Sequence, residues 1–176
     1  MKVFIIILLI LGCTAATVYI ALQRIEVITS GKDTLKGIKL FCVIVDDLKP
    51  DIISLDLDKY SIQKDVVLKL RMAGIDVLPE EEFLRTFRTP YLLVNLNQMI
   101  DNNFIIYIIS INFKQKMFWG INPNTLVSSV TTWQHISVRS IGVQKAQTIQ
   151  KQTIKEAISD GVDIFLKDYL AVNSKK

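Results

Sequence analysis

The sequence predicts an α/β or α+β domain: a mixed sheet of about five strands with an antiparallel meander and two helices packed on one face, preceded by an N-terminal membrane segment. Three patterns predict it. A strand, helix, strand order runs from Ile38 to Leu78, apolar and polar residues alternate through long stretches between Tyr91 and Val138, and an apolar stripe at steps of three and four runs towards Asn173. Half of the 176 residues are hydrophobic and 22% are charged, which is too apolar for a disordered chain and sufficient for one core.

The chain begins Met1-Lys2 and continues with Val3 to Leu22, twenty residues without a charge. As a helix rising about 1.5 Å per residue, such a run crosses the roughly 30 Å of a bilayer's hydrocarbon, and one cation ahead of it also matches a secretory signal. Ile10-Leu11-Gly12-Cys13 resembles a bacterial lipobox, in which the cysteine carries the lipid, although Leu11 stands where a small residue is usual and Thr14 to Leu22 stays apolar. Set against a plain buried core helix, three fates are open to residues 1–22: an uncleaved anchor, lipid attachment at Cys13, or cleavage after Ala15 or Ala16. Each implies the bacterial cell envelope, with the domain on the periplasmic side. Against the usual positive-inside bias, only Lys2 precedes the run while Arg24, Lys32, Lys36 and Lys39 follow it.

Residues 23–37, with Ser30, Gly31, Gly37 and mixed charges, read as a linker, and residues 38–173 as a single globular domain. Ile38 to Val45 is apolar at nearly every position, the mark of a central strand covered on both faces. After Asp46-Asp47 and Pro50, Ser61 is the expected cap of a helix whose Ile62, Val66 and Leu70 form one stripe and which Gly74 stops. Ile75 to Leu78 follows as a short parallel strand, and Glu80-Glu81-Glu82 suits the positive end of a helical turn. In Tyr91 to Met99, Leu92, Val94 and Leu96 alternate with Leu93, Asn95 and Asn97. Beyond the turn at Asp101-Asn102-Asn103, Ile105, Tyr107, Ile109, Ile111, Phe113 and Trp119 share one parity. Leu126 to Val138 reads as the third meander strand. The terminal helix, expected over residues 144–173, carries Ile154, Ala157, Ile158, Val162, Phe165, Tyr169 and Val172 on its inner stripe.

Charge and motif narrow the function. A net charge of +4, from 21 basic and 17 acidic residues, is scattered rather than gathered on one element, which argues against nucleic acid as a partner. Two cysteines provide no disulfide framework, and no cofactor-binding motif is present. Asp46, Asp47, Asp51, Asp56 and Asp58 cluster at the carboxyl end of the first apolar strand, where open α/β sheets often place ligands. Their spacing matches no calcium loop, so Asp46, Asp47 and Asp51 stand as metal candidates against the simpler reading of solvated and capping carboxylates. His135 has no second histidine beside it, and the serines near it (Ser128, Ser129, Ser137, Ser140) lie in no nucleophile elbow; no catalytic residue is assigned. Cys42 reads as a small core residue. If Ile136 and Val138 face the core, Trp133 and His135 face outward with Thr131 as an interaction surface.

Four segments carry a resemblance: the apolar strand closed by Val45-Asp46-Asp47-Leu48, the helix ending Leu70-Arg71-Met72-Ala73-Gly74-Ile75, Pro90 ahead of Tyr91-Leu92-Leu93-Val94, and Thr132-Trp133 followed by Phe165 to Asn173. Their arrangement resembles small exported bacterial α/β proteins of uncharacterised function and, more loosely, the N-terminal domain of TolB-type periplasmic proteins. The resemblance implies an envelope location and supplies no active site. The function expected is a non-enzymatic, envelope-tethered accessory module with a protein partner; the alternative is a metal-assisted hydrolase using the aspartates and His135.

Overall fold

A computed structural model describes residues 24–29, 31–86, 89–101, 103–118 and 126–174. The run Val3–Leu22, Cys13 and Trp119 lie outside the described residues. In chain order the elements are β1 (Arg24–Thr29), a 3-10 turn (Lys32–Leu35), β2 (Leu40–Val45), α1 (Pro50–Ile53), α2 (Lys59–Met72), β3 (Asp76–Leu78), α3 (Glu80–Phe83), β4 (Tyr91–Asp101), β5 (Phe104–Phe118), β6 (Leu126–Gly142) and α4 (Gln147–Asn173). The strands form one six-stranded mixed sheet in the order β1-β6-β5-β4-β2-β3. β2 runs parallel to β3 and β4, and the remaining neighbours are antiparallel. Among the described residues, no helix is long and apolar enough to cross a membrane.

The sixth strand falls where the sequence reads as linker. β1 alternates Arg24, Glu26 with Ile25, Val27, a short charged pattern suited to a sheet edge, and it gains order by pairing Val27 with Ile136 of β6. The turn after it is also fixed. Thr34 Oγ1 donates to the Thr132 carbonyl (3.2 Å), Gln115 Nε2 to the Thr34 carbonyl (2.8 Å) and Asn173 Nδ2 to the Leu35 carbonyl (2.9 Å). Gly31 lies so close to the backbone of Thr132 that a β-carbon would collide with that carbonyl.

Asp58, rather than Ser61, caps α2: its carboxylate accepts from the backbone N–H groups of Tyr60 (2.9 Å) and Ser61 (3.0 Å). Ile62, Val66 and Leu70 are buried as the stripe predicts, and Gly74, at φ 79°, takes the left-handed conformation that ends the helix. α4 starts three residues later than expected and buries Ile154, Ala157, Ile158, Val162, Phe165 and Tyr169. The β5 row Ile105, Tyr107, Ile109, Ile111 and Phe113 is buried with Leu92, Val94 and Leu96 of β4. Phe165 sits among Trp133, Phe41, Phe113 and Tyr169, with ring centroids 5.1, 5.7, 5.7 and 5.9 Å away.

The facing of β6, open in the sequence, goes against the outward alternative for Trp133 and His135. Trp133 and His135 are 1% and 0% exposed, so they form no interaction surface, while Ile136 and Val138 are half-buried on the other side. Register is the reason. β6 pairs Trp133 with Phe113, His135 with Ile111, Ser137 with Ile109 and Arg139 with Tyr107, and directly paired residues share a face.

Candidate functional site

The acidic loops are built from local caps and single ion pairs. Asp46 accepts from its neighbour's N–H at Asp47 (3.0 Å) and from Asn95 Nδ2 of β4 (2.7 Å). Asp47 pairs with Lys59 at 2.8 Å, and that ammonium holds its carboxyl below the usual range. Asp56, at φ 56°, meets Lys151 of α4 at 2.6 Å, with its carboxyl lowered for the same reason. Asp51 lies in the first turn of α1, and Asp58 is occupied in capping. Among the described residues, no three His, Cys, Asp or Glu side chains gather as a group that could hold a metal ion.

His135 is not brought to these aspartates. β5 and β4 lie between its strand and β2, a separation of roughly 14 Å at about 4.8 Å per strand. The imidazole is sealed beside Gly161 of α4 and Ile111, and Ser137 is fully buried too, so neither reaches solvent. The geometry therefore lends no support to a hydrolase that joins the aspartates to His135.

What the sequence reading missed is a polar row beneath α4. Trp133 Nε1 donates to Asp168 (2.9 Å), Arg139 reaches Asp160 (3.5 Å), and the Tyr107 hydroxyl donates to Gln150 Oε1 (2.8 Å). Burial pushes the Tyr107 hydroxyl upward in pKa. These bonds satisfy polar groups that face the core and fix the helix in one position along β5 and β6. The available signal was the period: Trp133, His135, Ser137 and Arg139 are spaced by two, as a single strand face requires.

Open surfaces are left among the described residues. A cleft of about 310 Å³ lies between α2 and α4, floored by Ile62, Val66, Ile158 and Val162. Its rim is bridged from helix to helix by Lys155–Asp65 (3.2 Å) and by Lys69, which reaches Asp163 (2.7 Å) and Ser159 Oγ (2.6 Å). Another such surface is the outer face of the sheet, where half-buried Ile106 and Ile108 of β5 lie beside Val138 and Ile136 of β6, and Asn95, Asn97, Asn112 and Gln134 follow towards Leu93. At one corner Phe83 rests on Tyr91 (5.5 Å) with Lys116 over its ring.

Cys42 lies in β2, 1% exposed, and burial first, then the charge of Glu80, pushes its thiol up to about 11. It is expected to resist alkylation in the folded protein at pH 8 and to react once urea unfolds the chain, as read by mass. Because the fold raises this pKa, the associated stability is complete below pH 9 and is lost as pH rises towards 11, by about 1.4 kcal/mol per pH unit. Cys42→Ala should flatten that part of the urea-midpoint profile. An unchanged slope would refute the assignment.

The described residues thus form a mixed-sheet α/β fold in which Asp58 caps a helix, Asp47 and Asp56 form ion pairs, and Asp160 and Asp168 dock α4. No family model matches it, and no curated protein matches it. Among solved structures, the dodecamer of a point-substituted PelC from Paraburkholderia phytofirmans is similar at 14% identity and TM-score 0.45, covering 79% of this chain and 95% of that one. The PelC dodecamer in another crystal form gives 15% and 0.44, covering 79% and 94%. A likeness of this degree carries no inference about activity, partners or assembly.

Proposed function

We propose that this protein is a non-enzymatic accessory module, held by its N-terminal segment on the periplasmic side of a bacterial envelope and working through protein contacts. The observation that carries the contact reading is the patch Ile106, Ile108, Ile136 and Val138 on the outer face of β5 and β6, apolar side chains left half-buried while polar His135, Ser137 and Arg139 are turned inward. In this reading α2 and α4 share one face of the sheet. Support comes from Lys69, which ties the two helices together, and from Phe165, which packs with inward residues of β2, β5 and β6. The opposite face is then the contact surface. The uncharged Val3–Leu22 run supports the location, in keeping with the resemblance to small exported bacterial proteins.

A reporter active only in the periplasm, fused after Lys176, is expected to be active, and a cytoplasmic reporter silent. The reverse pattern would overturn the location. For the contact face, a photo-crosslinking residue at Ile108 or Ile136 in intact cells should give adducts of higher mass that are absent when it is placed at Glu156. Equal yields at all three positions would remove the assigned face.

A further inference from the structure

We infer that the end of the sheet made by the β4–β5 turn and the β6–α4 loop rests on the lipid surface. The inference builds on the anchored reading above in its uncleaved form, with Val3–Leu22 in the bilayer, and two independent features of the molecule lead to it. The first is where the tether arrives. β1 starts at Arg24, opposite Arg139, and Gly142 at the end of β6 lies three residues further on, about 10 Å at roughly 3.3 Å per residue. Gly142 pairs with Phe104, and Val143 donates its N–H to the Asn103 carbonyl, so the hairpin tip and the loop before α4 stand at that same end. Gln23 alone separates Leu22 from Arg24, and two residue steps span at most about 7 Å. A bilayer holding Leu22 therefore brings this end of the domain to headgroup depth.

The second feature is what that end presents. Met99 and Ile100 at the end of β4 and Val143 just after β6 are 58%, 65% and 43% exposed, and Ile149 in the first turn of α4 is 47% exposed. Residues 99–104 and 142–149 hold one acid, Asp101, and one base, Lys145. Large apolar side chains with so little charge suit the boundary between headgroups and acyl chains, and they lie where a one-residue tether leaves no room for a protein layer between domain and membrane.

The test uses the full chain reconstituted into vesicles of phosphatidylethanolamine and phosphatidylglycerol carrying a headgroup nitroxide. A fluorescent amino acid is placed at Ile100, at Val143, or at Met72, which is 80% exposed near the end of α2. Quenching at Ile100 and Val143 is expected to exceed that at Met72 at least threefold. Flotation with the vesicles but equal quenching at all three positions would overturn this inference and leave the anchor standing. A label at Ile100 that shifts to the blue without lipid quenching would place protein there and also overturn it. A chain that fails to float with the vesicles would overturn both.

Discussion

Phe165→Ala is expected to remove a large share of the domain's stability. The ring is fully buried and meets Trp133, Phe41, Phe113 and Tyr169 at centroid distances of 5.1 to 5.9 Å, edge-on to Phe41 and Trp133 and stacked on Phe113. Phe-to-Ala changes at such sites cost about 3–5 kcal/mol through lost transfer energy and the cavity left behind, and a domain of this size holds about 5–15 in all. The cavity would open among residues from β2, β5, β6 and α4, so no single element can collapse into it. Lys155→Ala, on the same helix, removes a pair with Asp65 and should cost under about 1 kcal/mol. Urea midpoints compare the two. Equal losses would mean that α4 presents a different face to the sheet.

The stripe behind that prediction was legible in the sequence because Ile154, Ile158, Val162, Phe165 and Tyr169 keep helical spacing without interruption. The β5 row from Ile105 to Phe113 was legible for the corresponding reason at period two. β6 was not, because its outward row holds Ile136 and Val138 while its inward row holds His135, Ser137 and Arg139. Side-chain polarity alone therefore favours the wrong face. The pairing with β5 decides the matter, and a slip of one residue would reverse every side chain. Arg139 and Trp133 are tolerated on the inward face because α4 supplies Asp160 to the guanidinium and Asp168 to the indole, partners that come 21 and 35 residues later in the chain. Much the same separates the aspartates. Asp58 could be read as a local cap from its place two residues before Tyr60, whereas the pairing of Asp56 with Lys151 spans 95 residues and leaves no trace in local pattern. β1 escaped notice because a six-residue edge strand with two charges resembles a linker until β6 is there to pair with it.

Gly161→Leu is expected to lift α4 from the sheet. A β-carbon at this position would stand 2.6 Å from Ile111 Cδ1 and 3.0 Å from His135 Cδ2, and Ile111 and His135 are both fully buried. Leucine adds three further carbons in a direction already filled. Overpacking of this kind costs about 3 kcal/mol where the backbone must move. Here the helix that would move also carries Phe165, the Asp168 acceptor for Trp133 and the Asn173 bonds to the turn after β1. Gly161→Ala divides the effect more finely. Alanine gains about 1 kcal/mol of helix propensity over glycine but must displace the Ile111 methyl, so its net change should be within about 1 kcal/mol of zero. Ile111→Val deletes the very atom that the new β-carbon meets. Alone it should cost about 0.5–1.5 kcal/mol. In the Gly161→Ala background it should cost less or become stabilising, because the cavity and the clash cancel. A double-mutant cycle from urea unfolding measures that coupling. Additivity within about 0.5 kcal/mol would show that α4 does not approach β5 through Gly161.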